Sequence, residues 1–286
     1  MSNPAQPSQS PAQSDADHAA ITFHVEVASG HIGVQVEGDG PLLLCVPGMG
    51  ESAASFRHLT PLLVDAGYRV ATMDLRGHGE SSTAFQRFDD EAAASDIHSV
   101  LEHLGVSAAA VIGNSMGAAA GVIAAQERPD LVQKLVLIGP FVRDHGSRAS
   151  RILLALMLAR PWGPAGWASH YRCLFGDVRP ADHDEHVGRA LAQLRRPGRW
   201  RAFQRTARTS HAGAEAALQR LSTPLLVIMG DQDRDFDDAE VEAAWAADTG
   251  RGDYRMIVGA GHYPQGEQPE VVAEHVLAFL GEASRG

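Results

Sequence analysis

Ala108-Ala109-Ala110-Val111-Ile112-Gly113-Asn114-Ser115-Met116-Gly117-Ala118-Ala119-Ala120-Gly121-Val122-Ile123 is the stretch that decides the fold. It opens as a short apolar run of strand character and continues as a helix of small and apolar residues. Gly-x-Ser-x-Gly sits at the joint. At such a tight strand-to-helix turn the serine projects its Oγ from the end of the sheet, and side chains at the flanking positions would clash. A five-residue pattern with three fixed positions recurs by chance, so its weight comes from the strand leading in and the helix leading out. The competing reading is an ordinary glycine-rich turn.

A serine hydroxyl is a poor nucleophile without a base. The base must be a histidine on a loop at the same end of the sheet. His262 stands in Gly259-Ala260-Gly261-His262-Tyr263-Pro264, after the strand Tyr254 to Val258 and before the helix Pro269 to Leu280. The other thirteen histidines lack that placement. His98, His103 and His275 fall within helical patterns, and His78 lies in a turn where a structural role is expected. The base needs an acid to fix its tautomer. Strand Leu225 to Met229 runs into Gly230-Asp231-Gln232-Asp233-Arg234-Asp235, where three carboxylates compete. The order of preference is Asp233, Asp231, Asp235. An oxyanion needs preorganised N–H donors. Met116, first in its helix, offers one, favoured by the helix dipole. Met49, in Pro47-Gly48-Met49-Gly50, offers the second; the plainer reading of that segment is a turn.

Further outward, Ile21 to Val27 and His31 to Glu37 suggest a hairpin across Ala28-Ser29-Gly30. Leu42 to Val46 reads as a buried parallel strand and Ser52 to Ala66 as a helix. Strand Tyr68 to Met73, helix Asp90 to Leu104, strand Lys134 to Ile138 and helix Asp237 to Ala247 complete the alternation. Strands alternating with helices imply a mostly parallel sheet covered on both faces. Residues 141–221 break the rhythm. They hold no clear strand and contain Trp162, Trp167 and Trp200, so they read as a helical cap inserted between two strands. The expected organisation is a disordered tail over 1–20, a core over 21–140 and 222–286, and the cap over 141–221.

The 286 residues suit one sizeable α/β domain with an insertion. A net charge of −11 argues against nucleic-acid binding. The charge is uneven: residues 141–221 hold fourteen Arg, no Lys, four Asp and two Glu, a net +8, so the remainder carries −19. Arg195, Arg196, Arg199, Arg201, Arg205 and Arg208 read either as clamps for a substrate carboxylate or phosphate, or as a solvated face drawn to an acidic core. The run Ile152 to Leu158 either lines an apolar pocket or packs the cap, and it is far too short to span a bilayer. Cys45 and Cys173 make neither a metal spacing nor a disulfide framework, and Cys45 reads as a core thiol. The first twenty residues lack the basic and apolar regions of a signal peptide. A cytoplasmic protein with no cofactor, no metal and no membrane or nucleic-acid partner is expected, with a homodimer left open.

Pro-Gly-Met-Gly, Asp-Leu-Arg-Gly-His-Gly-Glu-Ser, Gly-Asn-Ser-Met-Gly, Gly-Asp-Gln-Asp and Gly-Ala-Gly-His run in order from about residue 30 to residue 280, the cap apart. In this the chain resembles the α/β-hydrolase superfamily, in its capped, esterase-like and meta-cleavage-hydrolase-like branch. The resemblance implies an acid three residues after the glycine that closes the strand, which is Asp233. Two departures stand out. The family's oxyanion loop usually begins His-Gly, and here it begins Pro47-Gly48. The proline often found a few residues after the acid is replaced by Arg234-Asp235-Phe236-Asp237. A serine nucleophile argues against haloalkane dehalogenase or epoxide hydrolase chemistry. The expected activity is hydrolysis of a carboxylic ester, thioester or lactone of a small molecule through an acyl-enzyme. Carbon–carbon bond hydrolysis of the meta-cleavage type, acyl transfer and a non-catalytic receptor are the alternatives.

Overall fold

A computed structural model describes residues 20–144, 154 and 156–281. The expected tail over 1–20 lies outside these, Ala20 apart, as do Ile152, Leu153 and Ala155 of the apolar run. β1 (Ile21–Val27) and β2 (Gly30–Glu37) form the expected antiparallel hairpin. β3 (Leu42–Val46), β4 (Arg69–Met73), β5 (Ala109–Asn114), β6 (Val132–Ile138), β7 (Leu225–Gly230) and β8 (Asp253–Ile257) complete one sheet. Its order is β1-β2-β4-β3-β5-β6-β7-β8. β2 meets β4 antiparallel, and every pairing from β4 to β8 is parallel.

The helices are α1 (Leu59–Asp65), α2 (Asp90–His103), α3 (Met116–Glu127), α4 (Gly163–Cys173), α5 (His183–Gln193), α6 (Arg199–Thr206), α7 (Ala212–Leu218), α8 (Ala239–Gly250), α9 (Pro264–Glu267) and α10 (Pro269–Gly281). β3 shows why both sheet faces need cover. Leu42, Leu44 and Val46 enter the core shared with α2, α3 and α8, while Leu43 and Cys45 enter the core shared with α1 and α10. Cys45 is fully buried, and burial pushes its thiol pKa up.

The expected helix over 52–66 is two pieces, a 3-10 turn over Ala53–Phe56 and then α1. Pro61 stands in the first turn of α1. It has no N–H, and its ring would clash with the carbonyl four residues back, so one continuous helix cannot form. α8 begins two residues later than expected because Asp238 caps it, accepting from the Val241 N–H at 3.0 Å.

Helices α4 to α7 lie between β6 and β7, the break in rhythm that the sequence implies. Trp167, Tyr171, Phe175, Trp200 and Phe203 form their aromatic core, joined by Tyr263. Arg199 and Arg205 serve neither of the expected roles. Buried Arg199 donates to the carbonyls of His78 (3.0 Å) and Ser81, and Arg205 donates to those of Phe85 (3.0 Å) and Gln86. Arg196 pairs with Glu80 at 2.8 Å. From the core side, Arg57 reaches Asp182 at 2.6 Å. Among the described residues no helix is long and apolar enough to cross a membrane.

Candidate active site

Ser115 stands between the last residue of β5 and the first of α3, at φ 55° and ψ −119°. A positive φ is strained for any residue with a Cβ and is held only where the surroundings dictate it. Those surroundings are tight. A Cβ on Gly117 would meet the Val46 carbonyl at 2.2 Å, and one on Gly48 would meet Cβ of Ser115 at 2.8 Å. The turn is also tied to β6, since the Ser115 N–H donates to the Ile138 carbonyl at 2.9 Å. Asn114 is buried, and its Nδ2 donates to the carbonyls of Ile138 (3.0 Å) and His262 (3.1 Å). One amide thus binds the serine turn to the histidine loop.

His262 is buried, with its N–H on the Leu174 carbonyl at 2.7 Å. Its Nδ1 lies 2.7 Å from Oδ2 of Asp233. An ionised carboxylate only accepts, so Nδ1 carries the proton. Burial would lower the imidazole pKa. The Asp233 charge and hydrogen bond, with the charges of Asp235 and Glu267, outweigh it and raise the pKa to about 9. Glu267 fastens the loop by accepting from the N–H groups of Gly176 (2.6 Å), Gly261 (3.0 Å) and Tyr263 (3.1 Å).

The three competing carboxylates part company here. Asp233 meets the imidazole. Asp231 is exposed and accepts from the Gly259 N–H at 2.7 Å. Asp235 stands on the other side of the ring, with Oδ2 3.8 Å from Nε2, and Oδ1 3.1 Å from Nε2 of His170 on α4. Ligand atoms of Asp233, Asp235 and His262 fall within 4.8 Å of one another. The 2.7 Å contact, however, already turns Asp233 and Nδ1 toward each other.

Met116 opens α3, so its N–H has no acceptor within the helix. The Met49 N–H finds none among the described residues. Met49, Ser115, Met116 and His262 line one cavity of about 880 Å³, and Asp233 stands behind His262. The cavity is largely apolar, roofed by Leu156, Met157, Leu158 and Trp162. His170 and His211 line it too, and sequence position alone gave no sign of that. Asp144 and Asp235 add two acids, and among the described lining residues there is no Arg or Lys.

Beside the cavity, Glu51 is buried at the end of the Met49 loop. It accepts from the Tyr171 hydroxyl and lies 3.2 Å from Nε2 of His186. Its Oε2 has no partner. This cluster links the loop of Met49 to α4 and α5. Its only sequence signal is an acid directly after Gly48-Met49-Gly50.

A family model described as alpha/beta hydrolase fold matches residues 41–176. The chain has the α/β-hydrolase fold. The 30 kDa subunit of magnesium chelatase of Rhodobacter capsulatus is 41% identical to this hydrolase over 120 residues, 42% of this chain and 41% of that protein. That match spans about two-fifths of the relative's length. The 2-(acetamidomethylene)succinate hydrolase of Mesorhizobium japonicum is 27% identical over 275 residues, 91% of this hydrolase and 95% of the relative. The solved structure of a thermophilic esterase from Thermogutta terrifontis superposes with a TM-score of 0.76 at 26% identity, covering 92% of this hydrolase and 98% of that chain.

Proposed function

We propose that this hydrolase cleaves a carboxylic ester, thioester or lactone of a neutral, apolar small molecule through an acyl-enzyme. Ser115 Oγ attacks the carbonyl carbon while Nε2 of His262 takes its proton. The Met49 and Met116 N–H groups hold the oxyanion, and Asp233 keeps the imidazole oriented and stabilises it when charged. Collapse expels the alcohol or thiol, which takes the proton from His262. Water then attacks the acyl carbon with His262 again as base, and Ser115 is released. The observation that carries this reading is the strained Ser115 and the Asp233-bound His262 on the wall of one apolar cavity.

The lining bears on the substrate. Hydrolysis of a carbon–carbon bond in a vinylogous acid calls for a cation to hold the acid group. The described walls offer Asp144 and Asp235, with no Arg or Lys among them, while Arg199 and Arg205 grip main-chain carbonyls and Arg196 grips Glu80. Two unpaired cysteines support a reducing, cytoplasmic setting as part of the same reading.

The test is turnover of p-nitrophenyl esters of graded chain length, with labelling by a fluorophosphonate. Wild type is expected to label at Ser115, and Ser115→Ala to lose at least about a thousandfold in kcat/KM. Undiminished turnover in that variant overturns the triad. Absence of labelling in the folded wild type favours a non-catalytic receptor.

A further inference from the structure

Trp167 and Trp200 are both more than nine-tenths buried, and the indole Nε1 of each is without a hydrogen-bond partner. Buried donors are nearly always paired, so two orphans in one helical layer call for an acceptor. Both residues line a cleft of about 190 Å³, distinct from the cavity of Ser115 although Trp167 borders both, where the start of α4 meets the end of α5. Arg160 and Arg195 line the same cleft from its exposed edge. Neither guanidinium meets an acceptor among the described residues, in contrast to Arg189, Arg196, Arg199 and Arg205 nearby. No acid lines the cleft among the described residues; its remaining walls are Pro164, Ala168, Leu191 and Leu194.

We propose that this cleft binds a small oxyanion, a phosphate or carboxylate group. A donor-only set of two guanidinium forks and two indole N–H groups suits a ligand that only accepts. Apolar walls strengthen such bonds by excluding water. The volume suits phosphate or a short-chain acid. Trp167 also lines the reaction cavity, so the anion would touch the wall that separates the two spaces. The proposal does not rest on the roles given to Ser115, His262 or Asp233.

The experiment titrates the full chain with sodium phosphate, and separately with sodium propionate, at an ionic strength held constant with sodium chloride. Tryptophan emission and calorimetry are read together, so a spectroscopically silent site is also counted. A saturable signal with either anion, absent with chloride alone, is expected, and which anion gives it assigns the group. Arg160→Ala and Arg195→Ala are each expected to weaken binding about tenfold, and the double variant to abolish it. Both side chains are exposed, and circular dichroism checks that the variants fold. Trp200→Phe, which removes one donor, is expected to weaken binding too. No saturable binding of either anion overturns the proposal, as does binding unchanged in the double variant.

Discussion

Oδ2 of Asp235 lies 3.8 Å from Nε2 of His262, across the ring from the 2.7 Å contact that Asp233 makes at Nδ1. The imidazole is thus flanked by two carboxylates. Asp235 is among the charges that raise the imidazole pKa to about 9, because a negative neighbour favours the cationic ring. Asp235→Asn removes that neighbour, so the ring loses its proton at lower pH. The acidic limb of the kcat/KM profile for a neutral ester is expected to move down from about 9 toward the ordinary histidine value of about 6.5. A limb that stays in place shows that the group titrating in it does not feel Asp235.

Asp233 and Asp231 stand two residues apart with different partners, the imidazole and the Gly259 N–H. Asp233→Asn is expected to lower kcat about 10³- to 10⁴-fold, because the amide no longer holds Nδ1 protonated. Asp231→Asn is expected to stay within about threefold of wild type, as exposed substitutions away from a site usually do. Steady-state kinetics on one ester decides between them. The reverse ranking assigns the acid to Asp231.

Tyr171 gives the buried Glu51 its hydroxyl donor, and Oε2 of Glu51 is already without one. Tyr171→Phe keeps the ring and removes the donor. It is expected to destabilise the fold by about 0.5–1.5 kcal/mol, the net worth of one hydrogen bond, since Nε2 of His186 stays 3.2 Å from the same carboxylate oxygen. Urea denaturation with an unchanged m-value measures it. A loss under about 0.5 kcal/mol speaks against a dependence of Glu51 on this bond.

Arg199 is buried and donates to two carbonyls of the segment that follows β4. Arg199→Met fills similar space without the charge. It is expected to cost about 1.5–3 kcal/mol and to speed protease cleavage between α4 and α7. Limited proteolysis followed by mass spectrometry locates the cuts; cleavage no faster than in wild type counts against this anchor.

The parts of the site that were legible in the sequence are those encoded locally. Ser115 announces itself because strand, turn and helix are contiguous, and His262 because a loop after the last strand is a position along the chain. Asp233 was preferred but not separated from its neighbours, since the choice depends on which side chain faces a ring 29 residues away. Glu51, Tyr171 and His186 lie 120 and 135 residues apart, brought together only when α4 and α5 dock. His170 and His211 reach the cavity by the same docking. Arg199 and Arg205 depart from the expectation for another reason. Net charge suggested long-range attraction, whereas Arg199 and Arg205 bond to main-chain carbonyls, and a carbonyl leaves no trace in the identity of its residue.

That choice of acceptor has a bearing on how the chain can change over time. Arg199, Arg205 and Thr209 take hold of the carbonyls of His78, Ser81, Phe85, Gln86 and Phe88. What they recognise is the path of the backbone between β4 and α2. Substitutions along that segment that keep its path therefore leave these five carbonyl bonds in place, so they can accumulate where the side chain itself is not used, while Glu80, which pairs with Arg196, and Phe88, which lies under Arg205, are held to their identities.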